Sequence, residues 1–117
     1  MFLKRRYEVS LNRVHDEIVI REGNDKIKLT VNGDPMYMVG GLNKAQKKMI
    51  ELKDDSPDEE VIDCARYFAS VVFGNEQAEQ LLKFYANDPA CVISVCGKYF
   101  KERLAGKIAK VQKKMKV

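Results

Sequence analysis

The stretch Ile27-Lys28-Leu29-Thr30-Val31-Asn32-Gly33-Asp34-Pro35 decides the fold class, because the hydrophobic period changes after it. Its apolar residues occupy every second position, which is the pattern of a strand with one buried face. Turn-forming residues at 32–35 then stop the alternation. From Gly40 onward the apolar residues recur every three or four positions, which is the period of an α-helix. The sequence therefore predicts strands first and helices afterwards.

The first 39 residues contain several such alternating runs. They are Tyr7, Val9 and Leu11; Ile18 and Ile20; the run at 27–31; and a short run at 36–39. Polar breaks such as Gly23-Asn24-Asp25 separate them, and residues of this kind tolerate the positive φ angles of tight hairpins. We therefore expect an antiparallel β meander of three to four short strands with one buried face.

Residues 40–117 are predicted to form four α-helices. The first carries Leu42, Ala45 and Met49, the second begins near Pro57, the third near Asn75 and the fourth near Pro89. The fourth is the longest, and its C-terminal part is basic. Segregated strands and helices predict an α+β fold. The length fits a single domain over 1–117, with a strand-rich part at 1–39 and a helical part at 40–117.

The composition excludes several classes of chemistry. The chain has one histidine, His15, in a polar stretch typical of a turn, and no Gly-x-Gly-x-x-Gly or Walker A pattern. Its three cysteines, Cys64, Cys91 and Cys96, lack C-x-x-C spacing and fall in apolar helical stretches, which indicates free thiols. We therefore expect no enzyme activity, no catalytic residues, no metal and no cofactor.

The same features predict a location. The basic start, Met1 to Arg6, is not followed by the apolar segment of a secretory signal. No apolar run approaches the roughly 20 residues that a membrane-spanning helix needs. Free thiols are typical of a reducing compartment. We therefore expect a cytoplasmic protein without membrane contact.

Charge is distributed unevenly along the chain, although the formal net charge is only +4. Residues 51–63 hold seven carboxylates and one lysine, and residues 98–117 hold eight basic residues and one acid. The predicted basic patch consists of Lys101, Arg103, Lys107, Lys110, Lys113 and Lys114. Such a helix can bind an acidic protein or a phosphate backbone. Lysines near a helix C-terminus also offset the helix dipole and aid solubility.

A narrow apolar seam runs along the predicted fourth helix. Beyond Leu104 it has about one large apolar residue per turn, which is narrower than the apolar face of a core helix. We therefore predict that the seam contacts a partner protein or a second copy of the chain. The predicted partner-binding residues are Tyr99, Phe100, Leu104, Ile108, Val111 and Met115.

The order of these parts over residues 27–117 resembles a family of phage proteins. Val31-Asn32-Gly33-Asp34 precedes Met36-Tyr37, and a helix ending in Met49-Ile50-Glu51-Leu52 leads to an acidic start of the next. The main motif is Val72-Phe73-Gly74-Asn75-Glu76-Gln77-Ala78-Glu79-Gln80-Leu81-Leu82-Lys83-Phe84-Tyr85, a Phe-Gly turn between helices with an acidic-polar opening. In this order the chain resembles small tail assembly chaperones and related minor tail proteins of tailed bacteriophages and prophages of Gram-positive bacteria.

The resemblance implies a non-enzymatic role in tail morphogenesis. Such chaperones bind the tape measure protein, whose long apolar helices would aggregate alone, and assist polymerisation of the tail tube around it. The implied partners are the tape measure protein or another tail protein, and further copies of this chain, in the cytoplasm of the host cell. The alternative is a nucleic-acid-binding accessory protein that uses the basic C-terminal helix, and its binding would weaken steeply with salt.

Overall fold

A glycine turn closes a β-hairpin at the start of the region that the computed structural model describes, residues 14–115. Strand β1 (Val14–Glu22) pairs antiparallel with strand β2 (Asp25–Gly33) along their whole length. Gly23 has a φ of +61°. A two-residue type II′ turn requires this left-handed conformation at its first position. The hairpin confirms the two strands that the alternating residues at 18–20 and 27–31 predict.

The alternation gives the hairpin one apolar face. Leu29 and Val31 of β2 are buried on this inner face, and Val14 of β1 is buried beside them. Three partly buried isoleucines pack against the same core: Ile18, Ile20 and Ile27. Because side chains alternate along a strand, Asp16 of β1 lies on the inner face as well. One carboxylate is thus placed among apolar side chains.

A side chain from the helical part closes the outer edge of β2. Gln77 Oε1 accepts a hydrogen bond from the Thr30 N–H at 2.7 Å, and Gln77 Nε2 donates to the Thr30 carbonyl at 2.7 Å. The same Nε2 donates to the Phe73 carbonyl at 2.8 Å. One amide therefore satisfies two backbone groups of an edge strand and ties the sheet to the helices.

Helices follow the hairpin along the described chain. They are α1 (Pro35–Glu51), α2 (Asp58–Phe73), α3 (Asn75–Phe84), α4 (Pro89–Tyr99), a π-helical turn (Phe100–Leu104), called the π turn below, and α5 (Ala105–Met115). Helix α2 is central and contacts α1, α3, α4 and β2. Strands followed by helices confirm the predicted α+β class. No helix among residues 14–115 is both long enough and apolar enough to cross a membrane.

The structure describes two strands, whereas the sequence predicts three to four. The alternating run at 7–11 lies outside the described residues. The short strand predicted at 36–39 is wrong, because these residues belong to α1. Asp34 accepts a hydrogen bond from the Met36 N–H at 2.9 Å as the N-cap, and Pro35 follows at the first helical position. The helical part therefore begins at Pro35 and not at Gly40.

The predicted long last helix is not one regular α-helix. The buried residues of α4 are Val92, Cys96 and Tyr99, but the next buried residue, Leu104, comes five positions after Tyr99. Residues three or four positions apart lie on the same face of an α-helix, whereas residues five positions apart do not. The π turn supplies the additional residue, and the Ala105 N–H donates to the Phe100 carbonyl across it. Leu104 therefore returns to the core.

Gly41 sets the distance between α1 and α2. A Cβ at this position would lie 2.8 and 2.9 Å from the two methyl carbons of Val71. The Val71 side chain therefore packs against the Gly41 backbone in the space that a Cβ would need. A Cβ at the preceding residue, Gly40, would meet nothing within 4 Å.

Candidate functional site

A mainly apolar groove opens where α1, α2 and the junction of α4 with the π turn meet. Its volume is about 270 Å³. The groove is lined by Leu42, Asn43, Gln46 and Met49 of α1, Phe68 of α2, and Gly97 and Phe100 at the junction. Leu42 and Phe68 are buried, whereas Asn43 and Gln46 are exposed. The groove thus combines an apolar base with amide groups at its rim, which is the usual composition of a binding site.

An exposed isoleucine extends the apolar surface beyond the groove. Ile50 of α1 keeps 75 % of its surface exposed. It follows Gln46 by four positions and Asn43 by seven, so the three residues share one face of the helix. Ile50 therefore adds one exposed apolar side chain beyond the amide rim, toward the end of α1.

Gly97 leaves the α4 side of the groove open. A Cβ at Gly97 would meet nothing within 4 Å, so no packing contact requires a glycine there. Inside a helix, glycine is about 1 kcal/mol less favourable than alanine. The helix therefore carries a locally unfavourable residue at the point where a larger side chain would occupy the groove.

A polar cluster joins the hairpin to the π turn. Asp16 Oδ2 accepts hydrogen bonds from the Tyr99 hydroxyl at 2.7 Å and from Arg103 Nε at 3.0 Å. Asp16 Oδ1 accepts a third from Arg103 Nη2 at 2.9 Å. The Asp16 side chain keeps only 17 % of its surface exposed. These three residues, called the Asp16 cluster below, form a bidentate arginine–carboxylate pair with an additional phenol donor.

The charges of the Asp16 cluster reinforce one another. The hydrogen bond from Arg103 holds the pKa of Asp16 below its ordinary value of 3.8, against the opposing effect of burial, and Tyr99 lowers that pKa further. Burial and the neighbouring Asp16 raise the pKa of Tyr99. At neutral pH the carboxylate is therefore ionised and the phenol protonated, so all three hydrogen bonds are available.

The structure buries three of the four predicted seam residues whose side chains it describes. Tyr99, Leu104 and Ile108 are buried. Phe100 is partly buried and lines the groove. The side chains of Val111 and Met115 lie outside the described part of the structure. Among the described seam residues, Phe100 is the one that borders the groove.

The predicted basic patch is divided between two roles. Lys101, Lys110 and Lys113 are exposed, and Lys107 is partly buried. Arg103 is held by Asp16. The side chain of Lys114 lies outside the described part of the structure. Among the described residues of the predicted patch, the three exposed lysines are therefore available for an external contact, whereas Arg103 is already paired.

A second cavity, of about 320 Å³, contains a cysteine. It is lined by Glu22, Tyr85, Ala90, Cys91, Ser94, Val95 and Lys98. Desolvation and the neighbouring Asp88 raise the pKa of Cys91. Burial raises the pKa of Cys64, and it raises that of Cys96 to about 12. Because the thiolate is the nucleophile, none of the three thiols is activated. Among residues 14–115, no group of three or more His, Cys, Asp or Glu side chains is placed to hold a metal ion.

Sequence reasoning missed both the groove and the Asp16 cluster. The groove has no local signal, because it forms where three separate helices meet. The cluster has one signal that periodicity could reveal. Asp16 lies two positions before Ile18, so its side chain belongs to the same inner face of β1. The π turn has no such signal, because Phe100 precedes Leu104 by the regular four positions.

Comparisons with known proteins give no relative for this chain. No protein-family model, no curated protein and no solved structure matches it. The groove and the Asp16 cluster are therefore interpreted from their own chemistry.

Proposed function

We propose that this chain is a non-enzymatic protein that binds an apolar helical segment of a partner protein in the groove. The observation that carries the proposal is the apolar groove between α1, α2 and the π turn, continued along α1 by the exposed Ile50. An amphipathic helix that binds in a groove inserts apolar side chains at helical spacing. The groove offers such a side chain an apolar base, and Ile50 offers a contact further along α1.

We infer the chemistry of the partner from exposed lysines that follow lining residues in the sequence. Lys47 follows Gln46 in α1, Lys101 follows Phe100 in the π turn, and both lysines are exposed. Acidic residues beside the apolar face of the partner would complement these lysines. The proposed ligand is therefore an amphipathic helix with carboxylates next to its apolar stripe.

The resemblance to tail assembly chaperones supplies a more specific version of this proposal. In that version the partner is the tape measure protein or another tail protein, the chain also associates with itself, and it acts in the cytoplasm of the host cell. The buried positions of Tyr99, Leu104 and Ile108 move the proposed contact from the seam to the groove, with Phe100 common to both.

A binding titration tests the groove. The probe is a synthetic helical peptide with leucines on one face and glutamates on the other, followed by calorimetry and by NMR shifts of the Asn43 and Gln46 side-chain amides. A Cβ at Gly97 meets nothing within 4 Å, so we expect Gly97→Leu to occupy the groove and to abolish binding while the chain stays folded. Gly106→Leu is the matched control, because a Cβ there also meets nothing within 4 Å but the position lies in α5.

The titration has two outcomes that contradict the proposal. The first is that the peptide binds the Gly97→Leu variant as tightly as the unchanged chain. The second is that neither chain binds it.

Co-expression tests the more specific version. The chain is produced together with the tape measure protein encoded in the same genome, and soluble complexes are separated by size-exclusion chromatography. We expect co-elution with the unchanged chain and none with Gly97→Leu. If the tape measure protein stayed insoluble in the presence of the unchanged chain, the chaperone role would be contradicted. The peptide titration would still decide separately whether the groove binds a helix.

Nucleic-acid binding is the second candidate function, and the exposed lysines favour it. Lys101, Lys110 and Lys113 carry no opposing ion pair among the described residues. A phosphate contact predicts that affinity falls steeply as salt rises, because counterions are released on binding. An electrophoretic shift at low salt that disappears in the double variant Lys110→Glu/Lys113→Glu would support this function. No shift at low salt removes it.

A further inference from the structure

We propose that Asp16, Tyr99 and Arg103 are positioning residues that hold the π turn and thereby keep Phe100 in the wall of the groove. This inference rests on the proposed function, because it assigns to the Asp16 cluster the control of the same binding site. It extends the site from the groove to the hairpin on the opposite side of the π turn.

The first step of the argument is the placement of side chains around the π turn. Tyr99 and Arg103 both reach Asp16 on the hairpin. Phe100, which follows Tyr99 directly, lines the groove with Leu42 and Phe68. The π turn therefore has one side bonded to the hairpin and another side exposed to the ligand.

The second step concerns why the π turn needs support. A π turn is rare, and its i→i+5 bonding holds one residue more than a regular α-helical turn would. Arg103 reaches Asp16 with two donors, and Tyr99 adds a third hydrogen bond. These charge-assisted bonds are stronger than bonds between neutral groups. The cluster thus stabilises the irregular geometry from the hairpin side.

The third step links the geometry to binding. Asp16→Asn keeps one oxygen as an acceptor, but it replaces the other with a donor NH2 group and removes the negative charge, so the bidentate pair with Arg103 is lost. The π turn is then held by the packing of buried side chains such as Tyr99 and Leu104, without the ion pair to the hairpin, and we infer that Phe100 loses its fixed orientation at the groove. A ligand must then order Phe100 as it binds, and the cost of that ordering reduces affinity.

The experiment compares Asp16→Asn and Arg103→Lys with a control on the same strand. Glu17→Gln is the matched control, because Glu17 lies on the outer face and makes an ion pair with Lys28 at 3.5 Å. Two readouts are used. One is the set of ¹³C chemical shifts of residues 99–105, which reports the π turn without any ligand. The other is affinity for the same leucine–glutamate peptide.

We expect both cluster variants to change the shifts of residues 99–105 and to lower affinity about tenfold, the scale of one lost charge-assisted hydrogen bond. Glu17→Gln should change neither readout. The inference is overturned if the cluster variants keep the unchanged shifts, or if the shifts change while affinity does not. If the unchanged chain does not bind the peptide, the proposed function fails first, and the chemical shifts alone decide whether the cluster holds the π turn.

Discussion

Asp16 shows how a carboxylate is accommodated on the apolar face of a hairpin. A buried charge is destabilising unless it is paired and hydrogen-bonded. Both oxygens of Asp16 accept bonds, from Tyr99 and from the guanidinium of Arg103. The residue is therefore compatible with its apolar neighbours only while helix and hairpin are in contact.

The lowered pKa of Asp16 predicts how stability depends on pH. A folded-state pKa below the ordinary value of 3.8 means that the ionised group stabilises the fold above pH 3.8 and that this contribution is lost as pH falls through the folded-state pKa. Asp16→Asn should therefore lower the free energy of unfolding by about 1–2 kcal/mol at pH 7. The difference from the unchanged chain should shrink below pH 4.

Urea unfolding of both chains at several pH values measures this effect. Glu17→Gln serves as the control, because its ion pair with Lys28 lies on an exposed surface and contributes little. A constant difference between Asp16→Asn and the unchanged chain from pH 7 to pH 2 would contradict the assignment.

The two adjacent glycines of α1 form a second pair for comparison. Gly41→Ala places a methyl group against Val71, so we expect a loss of about 1–3 kcal/mol in the free energy of unfolding. Gly40→Ala meets no atom within 4 Å and should raise it by up to about 1 kcal/mol. Thermal or urea unfolding measures both. Equal effects of the two substitutions would show that α1 and α2 are not in close contact.

At the scale of the elements, the π turn keeps one buried face along α4 and α5. The core residues before it end at Tyr99, and those after it begin at Leu104. A regular helix would turn Leu104 out of the core by about one residue, or roughly 100°. The burial of both Tyr99 and Leu104 therefore depends on the irregular turn, and Arg103 occupies the position that a regular helix would place below Tyr99.

Deleting Lys101 tests this account. Lys101 is exposed, and its removal places Leu104 four positions after Tyr99, so a regular α-helix would keep both residues in the core. We expect the variant to fold, with a Tm within a few degrees of the unchanged chain, and to lose the ¹³C signature of the π turn.

Deleting Ser94 is the control, because Ser94 is exposed but its removal shifts Cys96 and Tyr99 relative to Val92. That variant should be strongly destabilised, as core packing errors are. Circular dichroism with thermal melting distinguishes the two deletions. If both deletions destabilised the chain equally, this would contradict the proposal that the π turn returns Leu104 to the buried face.

At the scale of the whole molecule, opposite charges are concentrated in different parts of the chain. Exposed carboxylates cluster at 51–63, around the start of α2, and exposed lysines occur in α5. Such a distribution favours head-to-tail contacts between identical subunits, acidic surface against basic surface. Self-association by this route would not need the three seam residues that are buried, Tyr99, Leu104 and Ile108.

Self-association by this route should depend on salt. We expect light scattering after size exclusion to give a larger mass at about 0.1 M salt than at about 1 M, because the Debye length falls from about 10 Å to about 3 Å. The double variant Lys110→Glu/Lys113→Glu should remain monomeric at both concentrations. A mass that rises with salt would indicate apolar association instead.

Part of the fold could be predicted because hydrophobic periodicity is a local property. The alternation at 18–20 and 27–31 identified both described strands, and the period of 3.6 identified α2 and α3. The prediction of a short strand at 36–39 was wrong because a run of four apolar residues fits both a strand and a helix. The N-cap Asp34, followed by Pro35, favours the helix. Helices α1 and α4 both begin after an aspartate that accepts such a local hydrogen bond, whereas α2 and α3 begin without a side-chain cap.

The amino-acid sequence by itself determined the α+β class, the order of strands and helices and the separation of charge, since each follows from residues close together in the chain. Only the tertiary structure decided that Tyr99, Leu104 and Ile108 are buried, that Arg103 binds Asp16, and that a groove opens beside Phe100. These features depend on contacts between residues far apart in sequence. The physical reason is that burial and ion pairing arise only when the elements pack together, so a local sequence pattern does not show them.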